Sequence, residues 1–154
     1  RVAAIITNAG LDFEFLWLEV TETVLITDFD QASATLHSLA DRGVGISIDD
    51  FGTGWASLTY LKSFPIHVLK IDRSFVADID QSADGVAIVR SILALGAELG
   101  HVVVAEGIET QAQQEALQAL GCLIGQGYLY GRPTPADQVP LRSAAHTRLA
   151  STGT

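Results

Sequence analysis

A short apolar run that ends in polar residues, then an amphipathic helix, then a glycine: this unit recurs along the chain and restricts its fold more than any other feature. The apolar runs are FLWLEV (15–20), VGISID (44–49), HVLKID (67–72), HVVVAE (101–106) and CLIGQG (122–127). Their length and their Val/Ile/Leu content suit strands covered on both faces. Between them, spacing predicts a helix over 28–42, with Phe29, Ala32, Leu36 and Leu39 on one face. A second is expected over 83–99, with Val86, Val89, Ile92, Leu93 and Leu99 aligned, and a third over 111–120. Gly43, Gly100 and Gly121 stand just past these helices, where a left-handed C-terminal cap is expected. Thr110 and Gln113 have the spacing of a capping box. A shorter helix is expected over 56–63, closed by Pro65, and a last one over 136–149.

Strand–helix alternation predicts an α/β fold with a parallel sheet and right-handed crossovers. The dinucleotide fingerprint G-x-G-x-x-G is absent after the first strand, which weakens a Rossmann reading. Almost every run ends instead in a chemically active residue: Glu19, Asp49 with Asp50, Lys70, Glu106 and Gln126. Polar residues at the ends of successive parallel strands meet at the C-terminal face of a (β/α) barrel. A TIM-barrel-like domain is therefore expected, with residues 1–149 forming part of one barrel and 150–154 a polar tail. A closed barrel has eight strands and about 250 residues, whereas five runs are found in these 154 residues. The opening segment RVAAIITNAGL (1–11) reads as the tail of a helix already under way. The barrel is expected to be incomplete, with its front outside this chain.

Charge narrows the ligand. Nine basic side chains face 18 acidic ones, which argues against electrostatic binding to a DNA or RNA polymer or to an anionic membrane. An anionic substrate would need metal ions to reverse the local sign. No run reaches membrane-spanning length, and no signal peptide is apparent. The single cysteine, Cys122, allows no internal disulfide and suits a reducing compartment. It reads as a small buried residue rather than a nucleophile.

Hard divalent ions such as Mg²⁺ or Mn²⁺ favour carboxylate oxygens, and two of them roughly 3.5–4 Å apart can clamp a phosphoryl group. Glu19, Asp49, Asp50 and Glu106 supply four carboxylates at strand ends. Lys70 would hold the attacking water or steady developing negative charge. The histidines at 37, 67, 101 and 146 are scattered singly, and no Cys/His spacing suggests zinc. Simpler roles compete with these. Asp50 before FGTG could cap a turn, Lys70 and Asp72 could form an ion pair on one strand face, and Glu109 could be a helix N-terminal acid. DFG alone is a kinase element, but no HRD or APE segment accompanies it.

Five segments, LEVTET (18–23), IDDFGTGWASL (48–58), LKIDRSFV (69–76), VVAEGIET (103–110) and GQGYLYGRP (125–133), resemble the EAL domain family in order and spacing. The family comprises bacterial phosphodiesterases that linearise cyclic di-GMP. The resemblance implies that Glu19 is a metal ligand, that Asp49 is shared by two metals, and that Asp50 binds the second. It implies that Lys70 contacts the nucleophilic water and that Glu106 acts as a base or water ligand. Glu22 would fasten the loop after the paired aspartates, and Glu109 and Gln126 would support the site. That loop, from Phe51 to Ser57, would couple homodimerisation to metal binding, with Trp55 replacing the usual tyrosine. The early Glu-Ala-Leu segment and an asparagine strand, which supply further ligands in the family, are not found in their places.

Three functions follow as expectations. The first is metal-dependent hydrolysis of cyclic di-GMP to linear pGpG by a cytoplasmic parent domain, which other domains could tether to a membrane. The present chain is expected to be inactive alone. The second is a binding or regulatory module that holds cyclic di-GMP or a partner without turnover. The third, a Schiff-base aldolase using Lys70, is disfavoured by the crowd of carboxylates around that amine.

Overall fold

The computed structural model describes residues 2–22, 28–54 and 58–138. Among them the order is α1 (Val2–Asn8), a 3-10 turn (Phe13–Phe15), β1 (Trp17–Thr21), α2 (Phe29–Ala40) and β2 (Gly45–Phe51). Then come α3 (Leu58–Ser63), β3 (Val68–Ile71), α4 (Arg73–Val76), α5 (Ala83–Leu99) and β4 (Val102–Ala105). The series closes with α6 (Gln111–Ala119), β5 (Ile124–Gly125) and a 3-10 turn (Ala136–Gln138). The strands follow one another in the sheet as β1-β2-β3-β4-β5. That is barrel order, not the reversed order of a doubly wound sheet. Residues 1–69 and 70–154 form two compact units, each with its own buried residues.

In the first unit, β1 and β2 pair in parallel with Trp17 opposite Gly45, Glu19 opposite Ser47 and Thr21 opposite Asp49. Alternation puts Trp17, Glu19, Ser47 and Asp49 on one face and Leu18, Val20, Ile46 and Ile48 on the other. Helix α2 lies against β2 and contributes the buried Leu36. Asp28 starts it by accepting from the Gln31 N–H at 3.2 Å. Past its end Gly43 turns left-handed at φ 93°, and the Val44 N–H returns to the Leu39 carbonyl, as a glycine cap requires. The apolar run 15–20 yields a strand only from Trp17 on. Before it, the Phe15 N–H closes a 3-10 turn on the Asp12 carbonyl, and the Phe15 side chain is largely exposed.

In the second unit, β4 and β5 pair in parallel, Val104 with Ile124 and Ala105 with Gly125. Helix α5 occupies the expected 83–99. Ser82 caps its start and Gly100, at φ 74°, caps its end. Val89, Ile92, Val104, Ile108 and Leu117 are buried. The Thr110–Gln113 capping box forms as the spacing predicts. Cys122 is fully buried and donates to the Ile124 carbonyl at 3.4 Å; burial pushes its thiol up, away from the reactive thiolate. Sequence periodicity does not reveal α4, because four residues are too few to show a period. It forms because Asp72 accepts from both the backbone N–H and the hydroxyl of Ser74.

Of the short helix expected over 56–63, Leu58–Ser63 is described and is helical, and 56–57 lie outside the described residues. Of the expectation over 136–149, only Ala136–Gln138 is described; the remainder, the tail at 150–154 and Trp55 lie outside the described residues. Among the described residues no helix is long and apolar enough to cross a membrane.

Gly127 marks a close approach of two backbones. A Cβ there would collide with the backbone N, C and O of Ile108. At Gly121, φ 86°, a Cβ meets nothing within 4 Å. Gly127→Ala should cost about 3 kcal/mol through overpacking, and Gly121→Ala about 1 kcal/mol of left-handed strain. Urea unfolding of the two variants compares these losses, and equal losses would contradict the packing.

Candidate functional site

The first unit carries one half of the acidic residues. Glu19 sits in the middle of β1 on the face it shares with Ser47 and Asp49. Ser47 is buried, and its hydroxyl donates to the Leu18 carbonyl at 3.4 Å. At the C-terminal end of β2, Asp49 and Asp50 present carboxylate oxygens within 4.8 Å of each other. In an unbroken strand, consecutive side chains point to opposite faces. The break is at Asp50, which has φ 53° and is the non-glycine residue of positive φ among the described residues. Aspartate tolerates this region better than most residues. Its backbone also forms a turn, because the Asp50 carbonyl accepts from the Thr53 hydroxyl at 2.9 Å. The turn reading and the paired-acid reading of Asp50 are therefore compatible: its backbone makes the turn, and its exposed carboxylate stays beside Asp49.

The loop after this pair is tied down by Glu22. That side chain is 4% exposed, and its Oε1 accepts from the Gly52 N–H at 2.7 Å. Gly52 needs its φ of 99° to present the N–H in this turn. A Cβ on Gly54 would run into Glu22 Oε2. Both glycines of the FGTG segment therefore serve one buried carboxylate, which the segment itself does not contain.

The second unit carries the other half. Lys70 on β3 is 5% exposed. Its Nζ lies 2.7 Å from Oε1 of Glu106, which directly follows β4. The Glu106 N–H donates to the Ile71 carbonyl at 3.2 Å, extending the β3–β4 ladder by one step. Asp72 caps α4, its carboxylate accepting from the Ser74 N–H at 2.9 Å. Pairing with a carboxylate stabilises the ammonium form, which has no lone pair for a carbonyl, so the contact does not favour the aldolase reading. Glu109 and Gln126 are both exposed on the neighbouring turns. The Gln126 backbone joins them, with its N–H on the Ala105 carbonyl at 2.8 Å and its carbonyl receiving the Ile108 N–H at 3.1 Å. Glu109 lies just before the Thr110 N-cap and is not part of the helix.

The letters Glu-Ala-Leu do occur at 115–117, on α6. There Leu117 is fully buried and Glu115 accepts from Gln111 at 3.2 Å on the exposed face. This tripeptide is a helix face and not a strand-end ligand.

Strands in barrel order whose C-terminal ends carry carboxylates and a buried lysine define a (β/α)-barrel-type domain. The EAL domain family model matches residues 1–133, and the chain belongs to that family. The bifunctional diguanylate cyclase/cyclic di-GMP phosphodiesterase MucR of Pseudomonas aeruginosa is 52% identical over 130 residues, 84% of this chain and 19% of that protein. The cyclic di-GMP phosphodiesterase NbdA of the same organism is 47% identical over 128 residues, 83% of this chain and 16% of that protein. A solved complex of the PaMucR phosphodiesterase with c-di-GMP superposes with a TM-score of 0.85 at 50% identity, covering 89% of this chain and 56% of that one. The Klebsiella pneumoniae BlrP1 complex with manganese and cyclic di-GMP gives 0.80 at 39% identity, covering 86% and 34%. A calcium complex of BlrP1 with the dinucleotide is equally similar. The chain spans less than a fifth of these curated relatives, 19% and 16%.

Lys70 is buried and Glu106 partly so, its side chain 14% exposed, and losing one charged hydrogen-bond partner of such a pair costs about 1–3 kcal/mol. Glu106→Gln should lose that much stability in denaturant titration. Adding Lys70→Met to it should recover most of the loss. A single variant as stable as the parent would mean that the pair does not hold the two groups as described.

Proposed function

We propose that this chain supplies part of the active site of a cyclic di-GMP phosphodiesterase, acting in the cytoplasm and yielding linear pGpG. The observation that carries the reading is the Asp49–Asp50 pair. Like charges within 4.8 Å of each other, at a residue held left-handed, suit a site that receives cations. The donor set fits hard ions, because it is carboxylate oxygen without thiolate or imidazole. Glu19, Asp49 and Asp50 would hold Mg²⁺ or Mn²⁺. When bound, these ions would neutralise phosphate charge and make water acidic enough to attack at neutral pH.

The chain's own residues supply the remaining chemistry. In forming pGpG, a water oxygen bonds to phosphorus, the P–O3′ bond breaks, and the 3′ oxygen leaves with a proton. The Lys70 ammonium orients the attacking water and opposes the charge that builds on the phosphoryl oxygens. Glu106 accepts the water's proton or holds that water in place. Its pairing with Lys70 keeps both groups in one position before substrate arrives. Glu22 keeps the loop after Asp50 in the form that presents the aspartates, and Glu109 and Gln126 support the turns beside Glu106. The same loop is the proposed surface of a homodimer.

The ligand set within these 154 residues is partial, since the early Glu-Ala-Leu and asparagine ligands of the family are not among them. Metal affinity falls with each missing ligand, so the chain alone is proposed to turn over little or nothing. That same observation favours a second reading, a module that binds cyclic di-GMP without hydrolysis. Calorimetry separates the two: binding without Mn²⁺ and without product would favour the module.

A chimera joining the preceding half of the MucR phosphodiesterase domain to this chain tests the catalytic reading. It should convert cyclic di-GMP to pGpG in the presence of Mn²⁺. Asp49→Asn should reduce the rate by roughly a hundredfold or more, the scale of losing one electrostatic element of a site. Full activity of that variant would remove Asp49 from the mechanism.

A further inference from the structure

Gln113 is a buried amide, 7% exposed, and the proposed mechanism does not use it. Its Oε1 accepts two backbone N–H groups, from Glu109 at 2.8 Å and from Thr110 at 3.0 Å. Its Nε2 donates to the Ala77 carbonyl at 2.8 Å, 36 residues away in sequence. A capping box needs only an oxygen acceptor at this position, and glutamate serves as well as glutamine. The Nε2 bond is additional. It ties the start of α6 to the residue that ends α4.

The segment held in this way is 106–110, the turn that carries Glu106 at one end. Three other contacts fix it. Gly107, at φ 71°, leaves room for the Arg73 side chain, which a Cβ at that position would meet at 2.5 Å. The Ile108 N–H donates to Gln126, and the Ile108 carbonyl accepts from Leu129. Helix α4 and the GQGYLYGRP turns thus brace the turn on two sides, and Gln113 adds a side-chain hydrogen bond to the end of α4.

We propose that Gln113 is a positioning residue for Glu106, setting the turn that aims this carboxylate at Lys70. The proposal rests on the reading in which Glu106 and Lys70 serve phosphodiester hydrolysis. Backbone order around Glu106 is measurable without any activity, so the two can fail separately. A helix cap alone would protect the Glu109 and Thr110 amides and nothing further. A positioning brace also holds the amides of Glu106 and Ile108, which Gln113 does not touch.

Amide hydrogen exchange of the 154-residue chain reads the difference in Gln113→Ala. Losing hydrogen bonds of ordinary strength should speed exchange about tenfold at Glu109 and Thr110. A comparable increase is expected at Glu106 and Ile108. Gln113→Glu keeps an oxygen to accept from the Glu109 and Thr110 N–H groups and loses the donor to Ala77. It should therefore spare Glu109 and Thr110 while still loosening Glu106, and it carries the test if the alanine variant fails to fold. In the chimera assay, Gln113→Glu should lower kcat about tenfold with KM little changed. Faster exchange confined to Glu109 and Thr110, or an unchanged kcat beside a loosened Glu106, overturns the proposal. A chimera without hydrolysis in its parent form would instead overturn the functional reading, and exchange at Glu106 would then decide the positioning role by itself.

Discussion

Two carboxylates on adjacent residues repel each other, and the first unit is organised around keeping them together. At 4.8 Å, the limit within which their oxygens lie, such repulsion is about 1 kcal/mol in water and roughly 3 kcal/mol at a dielectric typical of a protein surface. A left-handed aspartate adds backbone strain of about 1–2 kcal/mol. Such strain persists only where the surroundings enforce it. Here a register with β1 fixes Asp49, a turn closed by Thr53 fixes the Asp50 backbone, and the buried Glu22 carboxylate holds Gly52. Local cost accepted at the end of a strand marks a place where stability yields to another requirement.

The second unit meets a related problem differently. Its lysine is buried and its glutamate partly so, and the two opposite charges meet at 2.7 Å. Desolvation makes such a pair a poor source of net stability, yet the short contact fixes the position of both groups. The turn that carries Glu106 is anchored through backbone bonds to Gln126 and Ile71 and through the Gln113 amide. Glycines at 107 and 127 permit the close backbone approaches involved.

Much of this architecture is legible in the sequence because it is written in periodic or punctuating residues. Gly43, Gly100 and Gly121 announce helix ends, since few residues other than glycine take a left-handed cap cheaply. Thr110 and Gln113 announce a helix start through their spacing. The strands stand out because polar residues interrupt apolar runs, at the centre of β1 for Glu19 and at or near the strand ends for Asp49, Lys70 and Glu106. Other features have no local signature. The left-handed turn at Asp50 is invisible, because aspartate is common in both extended and turn conformations. The link between Glu22 and Gly52 spans 30 residues, and composition does not indicate which acid finds which N–H. Lys70 has two candidate partners in sequence, Asp72 nearby and Glu106 far away. Asp72 caps the short helix that follows β3, a role its distance from Lys70 in sequence does not announce, and the strand order brings Glu106 to the lysine.

The central claim is that the Asp49–Asp50 arrangement exists to receive divalent cations. Paramagnetic broadening by substoichiometric Mn²⁺ tests it most directly, read from the backbone and carboxyl resonances of the labelled chain. Selective loss of signal at Glu19, Asp49 and Asp50 is the predicted result. Broadening spread evenly over exposed acids such as Asp30, Asp80 and Asp84, with the strand-end pair no more affected than they are, would contradict it.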